Sequence, residues 1–179
     1  MSRKILIVML LILSLVGCKT KSYKVVGVVD GDTIIVYPNT PVRIIGIDAP
    51  ELKSESLKFS DDVALHMTTK EKEIELAQIS KTELTNLLLN KKVTLKELEN
   101  FDAEVLENGR SGRSLRYVYL KKDDVGKLML QKGFARIWKS IDLNIMPHHD
   151  KETEYQREEY IAKELNVGIW KKKTEENPE

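Results

Sequence analysis

The sequence predicts an α+β fold that is mainly β: a five-stranded OB-like Greek-key barrel with about three helices packed on it. Two observations carry this expectation. Five short runs rich in β-branched and aromatic residues are each bounded by Gly, Asp, Asn or Pro, the punctuation of strands. A leucine-rich helical stretch falls between the third and fourth runs, and two further helical stretches follow the fifth, which is the element order of such a barrel.

Taken in order, residues 1–17 read as a signal peptide. Arg3 and Lys4 form a basic start, and residues 5–16 are an apolar run broken only by Ser14, too short for a comfortable membrane span. The run ends in Leu15-Val16-Gly17-Cys18, which resembles the bacterial lipobox, where cleavage precedes a cysteine that then carries lipid. Cys18 is the only cysteine, so residues 18–22 are expected to be a lipidated tether and no disulfide can brace the core. Residues 23–29 form the first strand, with Gly27 as a bend, and Asp30-Gly31 is turn chemistry. Residues 34–37 and 42–47 are the second and third strands, separated by the loop signal Pro38-Asn39-Thr40-Pro41.

Residues 52–80 are polar and charged and show no strand pattern. They read as a partly helical insertion on the surface, lying over the site. Residues 82–90 form a helix beginning near Ser80, with Leu84, Leu87, Leu88 and Leu89 as its apolar side and Lys91 and Lys92 suiting its C-terminal dipole. Residues 93–98 are the fourth strand, 99–108 an acidic loop, and Gly109-Arg110-Ser111-Gly112-Arg113 a flexible basic turn. Residues 114–120 are the fifth strand, with Leu115, Tyr117 and Tyr119 on one face. Asp123 or Asp124 caps the next helix, whose inner side is Val125, Leu128 and Met129 and whose C′ residue is Gly133. Residues 134–137 continue as a short apolar stretch. Residues 151–166 are a charged helix anchored by Tyr155, Ile161 and Leu165, closed by Gly168, with Ile169 and Trp170 packing back on the core. His148-His149-Asp150 is not read as a metal site, because adjacent side chains on a forming helix diverge. The single domain spans 23–170, and 171–179 is a tail.

Chemistry-bearing residues concentrate in residues 28–51. A hairpin folded on the Pro38–Pro41 loop sets Tyr37 opposite Val42, Ile35 opposite Ile44 and Asp32 opposite Ile47, so Asp32 falls within one residue of Asp48. Two carboxylates brought together repel unless a cation sits between them or one is protonated. Glu51 follows just past Pro50, which imposes an extended or turning path. Strict alternation points Arg43 away from Asp48. It joins the acids only if the strand bends between them, and Gly46 stands where a bulge would do this.

Asp30-Gly31-Asp32-Thr33, Arg43 five positions before Asp48, Pro50-Glu51, Gly112-Arg113 before a tyrosine-rich strand, and the ending Gly168-Ile169-Trp170 together resemble the staphylococcal (thermo)nuclease family, over about residues 23–170. The resemblance implies a calcium-dependent endonuclease that hydrolyses phosphodiester bonds of DNA and RNA and leaves 3′-phosphate ends. It implies Asp32 and Asp48 as calcium carboxylates, Ala49 as a backbone-carbonyl ligand, Glu51 as the acid that positions or activates water, and Arg43 and Arg113 as phosphate-binding arginines. Tyr117 matches a substrate-binding tyrosine, whereas Ser111 and Lys139 stand where two others are expected. The insertion after Glu51 is longer than in the type member.

Oxygen-only donors favour a hard cation such as Ca²⁺ or Mg²⁺. With two carboxylates, one ion is expected to bind weakly, with a dissociation constant of about 10⁻⁴–10⁻³ M. The chain carries 29 basic and 28 acidic residues; without Arg3 and Lys4 it has 27 against 28, a net of −1, so overall charge lends a nucleic-acid partner no support. A content of 41% hydrophobic residues excludes a disordered chain. The expected protein is a monomer, lipid-anchored in the bacterial cell envelope through Cys18 and facing outside the cytoplasm, with DNA and RNA as substrates. The competing readings are a catalytically silent nucleic-acid or protein-binding module and a structural envelope lipoprotein. Loss of Asp32, Arg43, Glu51 or Arg113 would have favoured the silent module, and all four are present.

Overall fold

The computed structural model describes residues 21–52, 70–97, 113–138 and 151–171. Strands β1 (Ser22–Val28), β2 (Thr33–Val36) and β3 (Thr40–Ile44) are followed by the two-residue β4 (Ile47–Asp48), then α1 (Lys70–Leu88), β5 (Lys92–Lys96), β6 (Ser114–Leu120), β7 (Asp123–Asp124), α2 (Val125–Gln131), β8 (Arg136–Ile137), α3 (Glu152–Glu164) and a 3₁₀ turn (Gly168–Trp170). β1 pairs antiparallel with β2 and with β5, β2 with β3, and β5 with β6. A parallel pairing of β3 with β6, Val42 opposite Ser114, closes these five strands into a barrel. The expected mainly β, OB-like barrel with three helices is the fold observed.

One strand can serve two neighbours because it bends. The β1 register slips between Val25 and Gly27, so its first half pairs with β5 and its second half with β2. Inside the barrel, Val25, Ile34, Val36, Val42, Ile44, Val93 and Val118 are almost wholly buried. Leu84 and Leu88 of α1 and Val125, Met129 and Leu130 of α2 join the same core, and Tyr155 adds α3 to it.

Several sequence expectations change on inspection. The β2–β3 register is Thr33 opposite Arg43 and Ile35 opposite Pro41, three residues tighter than expected. Thr40 and Pro41 belong to the strand and not to the loop. Proline is tolerated there because pairing with β6 begins only at Val42, so its missing N–H leaves no ladder partner unsatisfied on that side. Residues 70–80, expected within a partly helical surface insertion, are helical: they form the first half of α1, and Glu73, Leu76, Ala77 and Ser80 are buried rather than solvated. Residues 53–69 lie outside the described residues. In α3 the inward stripe is Tyr155, Glu158 and Ala162, at i, i+3 and i+7; Leu165, expected as an anchor, is 65% exposed at the C-cap.

The capping expectations hold for α2, whereas α3 ends before Gly168, with Leu165 as its C-cap and Asn166 at φ +50, and Gly168 opens the 3₁₀ turn. The Asp124 carboxylate accepts the Lys127 N–H at 3.2 Å and caps α2. Asp124 also accepts Tyr155 Oη–H at 2.9 Å and an ion pair from Lys151, which fastens α3 beside α2. Gly133 ends α2 at φ +69, and its carbonyl accepts the Ile169 N–H at 2.7 Å. Gly168 (φ +58) lies so close that an added Cβ would fall 1.9 Å from the Gly133 carbonyl oxygen. The acidic loop 99–108, His148-His149-Asp150, Ser111, Lys139 and Cys18 lie outside the described residues. No helix among the described residues is long and apolar enough to cross a membrane.

Candidate active site

Asp32 is the buried centre of the cluster, with 1% of its surface exposed. The turn that carries it is held by Asp30, whose Oδ1 accepts the Asp32 N–H at 3.1 Å. Gly31 lets this turn pack against its neighbours: an added Cβ would stand 2.6 Å from Ala49 Cβ and 2.7 Å from Ser80 Cβ. The α1 helix is thereby part of the wall behind the site.

The tighter β2–β3 register brings Arg43 beside Asp32, since it seats Thr33 opposite Arg43 and lets Ile44 N–H donate to the Asp32 carbonyl at 2.8 Å. The chain then turns at Gly46, φ +84, before β4 pairs with β8. That turn is the bend the sequence required, and it returns Asp48 to the side of Arg43. One guanidinium now forks between two carboxylates: Nη1 donates to Asp32 Oδ1 at 2.7 Å and Nη2 to Asp48 Oδ1 at 2.8 Å. The cation that separates the two acids is therefore Arg43.

The remaining oxygens are also held. Asp32 Oδ2 accepts the Ala49 N–H at 2.9 Å, and Thr33 Oγ1–H donates to Asp32 Oδ1 at 2.9 Å. Arg113 Nη1 donates to Thr33 Oγ1 at 3.1 Å, which ties the start of β6 to the same carboxylate through one hydroxyl. Glu51, half-buried after β4, lies in the fields of Asp30, Arg43, Asp48 and Arg113. The expected convergence of Asp32, Arg43, Asp48, Ala49, Glu51 and Arg113 is found. Tyr117 is not among them. It is 3% exposed and packed with Ile45, and Lys151 Nζ sits 4.5 Å from its ring centroid.

Sequence reasoning missed Arg136. It lies opposite Asp48 in the β4–β8 pair and donates to Asp48 Oδ2 from Nη2 at 2.9 Å and from Nε at 3.2 Å. A signal was available: a lone arginine between Ala135 and Ile137, in a run that must be buried, needs an acid partner.

Electrostatics follow the burial. Asp32 is pushed up to about 7, first by burial and then by Asp30 and Asp48, against the pull of Arg43. Burial works against the charge of Arg43, but Asp32 and Asp48 outweigh it and raise its pKa. Glu51 is raised, by burial first and then by Asp30. The acids thus exceed what the arginines neutralise. Asp32 and Asp48 offer oxygen donors of the kind that Ca²⁺ or Mg²⁺ takes, and in this structure the Arg43 guanidinium stands between them. Among the described residues no group of three acid, histidine or cysteine side chains could hold a metal, so other ligands would come from carbonyl, phosphate or water oxygens.

Comparison with known proteins agrees with this geometry. The sequence profile of the family described as "Staphylococcal nuclease homologue" matches residues 41–172, a stretch that includes every site residue named above except Asp30, Gly31, Asp32 and Thr33. The chain is 29% identical over 153 residues to the thermonuclease of Staphylococcus hyicus, covering 84% of this chain and 76% of that protein. It is 28% identical over 167 residues to an uncharacterized protein of Methanocaldococcus jannaschii, covering 82% of this chain and 70% of that one. It is 30% identical over 137 residues to the probable endonuclease LCL3 of Paracoccidioides brasiliensis, covering 73% of this chain and about a third (34%) of the fungal protein. With most of its length matched and the acid–arginine cluster assembled, the chain belongs to the staphylococcal nuclease family.

Proposed function

We propose that this protein is a calcium-dependent nuclease that hydrolyses phosphodiester bonds of DNA and RNA, leaves 3′-phosphate ends, and is carried on a lipoprotein anchored through Cys18 in the bacterial cell envelope, facing outside the cytoplasm. The observation that carries the catalytic part is the fork of Arg43 between Asp32 and Asp48, with Arg113 tied to the same carboxylate through Thr33.

The chemistry follows from the donors present. Asp32 and Asp48, with the Ala49 carbonyl, would hold the ion, which when bound supplies Lewis-acid polarisation of a phosphate oxygen. Arg43 and Arg113 offer planar, permanently charged donors to the other oxygens, which lysine cannot match in geometry. Glu51 lies in the fields of both arginines, and its raised pKa suits a group that takes a proton from water near neutral pH. The reaction requires no covalent intermediate on the chain.

The test uses the full chain in detergent with single-stranded DNA, duplex DNA and RNA, in calcium, magnesium or chelator. Cleavage is expected in calcium and not in chelator. Glu51→Gln should lower kcat by about 10²–10⁴, and Arg113→Ala by about 10²–10³. Binding without cleavage would make the chain a silent module. Equal activity in wild type and both variants would assign the cleavage to a contaminant.

A further inference from the structure

Both oxygens of Asp48 are occupied, Oδ1 by Arg43 and Oδ2 by Arg136. Under the reading above, Arg43 can leave Asp48 for a substrate phosphate. Arg136 competes with an ion for Asp48 Oδ2, and α1 carries a second acceptor for it. Glu73 is 7% exposed, and its Oε1 is buried with no hydrogen-bond partner among the described residues. A buried carboxylate oxygen left without a donor is costly, so native structures rarely keep one without a use.

Its placement is specific. Glu73, Ala77 and Ser80 lie at i, i+4 and i+7 on α1, one face, and all three are buried. Ser80 Oγ–H donates to the Phe134 carbonyl at 2.8 Å, two residues before Arg136. This face of α1 therefore runs along the segment that delivers Arg136 to Asp48. Two charges act on Glu73 from there: Arg136 attracts its carboxylate, and Glu51 repels it. Glu73 thus stands among the site's charges while making no contact with Asp32 or Asp48 among the described hydrogen bonds and ion pairs.

We propose that Glu73 is the second acceptor of Arg136: the guanidinium moves from Asp48 Oδ2 to Glu73 Oε1 when Asp48 takes up a divalent cation. This inference rests on the divalent-cation reading of the site. Glu73 acts through Arg136 as a positioning residue and is not itself a ligand. The exchange keeps Arg136 paired in both states and gives Glu73 its partner in the cation-bound one, which lowers the penalty of the buried charges there.

Calcium titrations by calorimetry test this on the full chain in detergent, in four forms: wild type, Glu73→Gln, Arg136→Gln and the double variant. With no second acceptor, Arg136 should stay on Asp48, and Glu73→Gln should weaken calcium binding about fivefold or more. In the Arg136→Gln background, Glu73→Gln should change the affinity little. Equal affinity in wild type and Glu73→Gln overturns the proposal. So does a loss of the same size in both backgrounds, which would mean that Glu73 acts only as a distant negative charge. Absence of calcium binding in the wild type overturns the cation reading and this inference with it, a pattern distinct from either of the other two. The Nε–H resonance of Arg136 in the wild-type protein gives an independent reading that needs no variant to fold. Calcium should shift it, and an unmoved resonance at saturating calcium overturns the exchange.

Discussion

Asp32 is held in place by the Ala49 N–H, the Thr33 hydroxyl and Arg43, yet burial pushes its carboxyl from an ordinary 3.8 up to about 7. The folded value lies above the unfolded one, so the folded chain holds this proton more tightly. The contribution to stability is full below about pH 4 and is lost as pH rises through about 7. A shift of this size corresponds to roughly 4 kcal/mol at most, and the Arg43 ion pair lost on neutralisation offsets part of it. Asp32→Asn is therefore expected to stabilise the calcium-free fold at pH 8 by about 1–3 kcal/mol, a rise in Tm of a few degrees, and to flatten the dependence of Tm on pH between 4 and 8. Calorimetric melts in chelator at pH 5 and pH 8 read both effects. A variant less stable than wild type at pH 8 would show that the Arg43 pair outweighs burial. The same substitution should abolish calcium binding, so activity and stability are expected to move in opposite directions at this residue.

At the scale of elements, α1 decides whether the turn bearing Asp32 is seated. Gly31→Ala would drive a Cβ into Ala49 and Ser80 at 2.6 and 2.7 Å. The expected cost is about 1–3 kcal/mol, with a fall in calcium affinity because Asp32 moves with its turn. Thermal melts and calcium titrations read the two outcomes, and a loss of stability with unchanged calcium affinity would separate the turn from the site. The first half of α1 was not legible in the sequence for a physical reason: apart from Leu76, what it buries is Glu73, Ala77 and Ser80, small or charged, so hydrophobic periodicity carries little signal there. Its second half, with Leu84 and Leu88, was legible because it enters the main core. The strands were legible from their β-branched runs, and Asp124 and Gly133 from capping chemistry. The hairpin register was not, because Pro41 reads as a breaker from sequence and becomes tolerable only where β6 has not yet begun to pair. The bend at Gly46 could be inferred from the requirement that Arg43 reach Asp48; the partnership of Arg136 with Asp48 needed the β4–β8 pairing, which joins residues 88 positions apart.

For the whole molecule, the barrel supplies the frame, and the address read from the N-terminal segment is a proposal to be tested. The proposal of a lipid anchor predicts that Cys18→Ala leaves a precursor that takes up no labelled lipid in cells. Labelling that persists in the variant would remove the anchor. The dependence of stability on the core is also a whole-molecule property. With Cys18 the only cysteine, no intramolecular disulfide is available, and the clusters under α1, α2 and α3 hold the chain. The family resemblance reached the same arginines and carboxylates as the geometry did. It did not supply Glu73 or Arg136, which emerge only when the partners of each buried charge are accounted for.

The parallel pairing of β3 with β6 has a temporal meaning. Arg43 is delivered by β3, and Arg113 stands at the threshold of β6; residues 42 and 114 must meet before the two arginines can share a carboxylate. No stretch of chain shorter than this loop contains the assembled cluster. Under the proposed nuclease activity, a nascent or threaded polypeptide lacks the site, which is assembled only at the moment the barrel closes. On that reading, folding itself is the activation event.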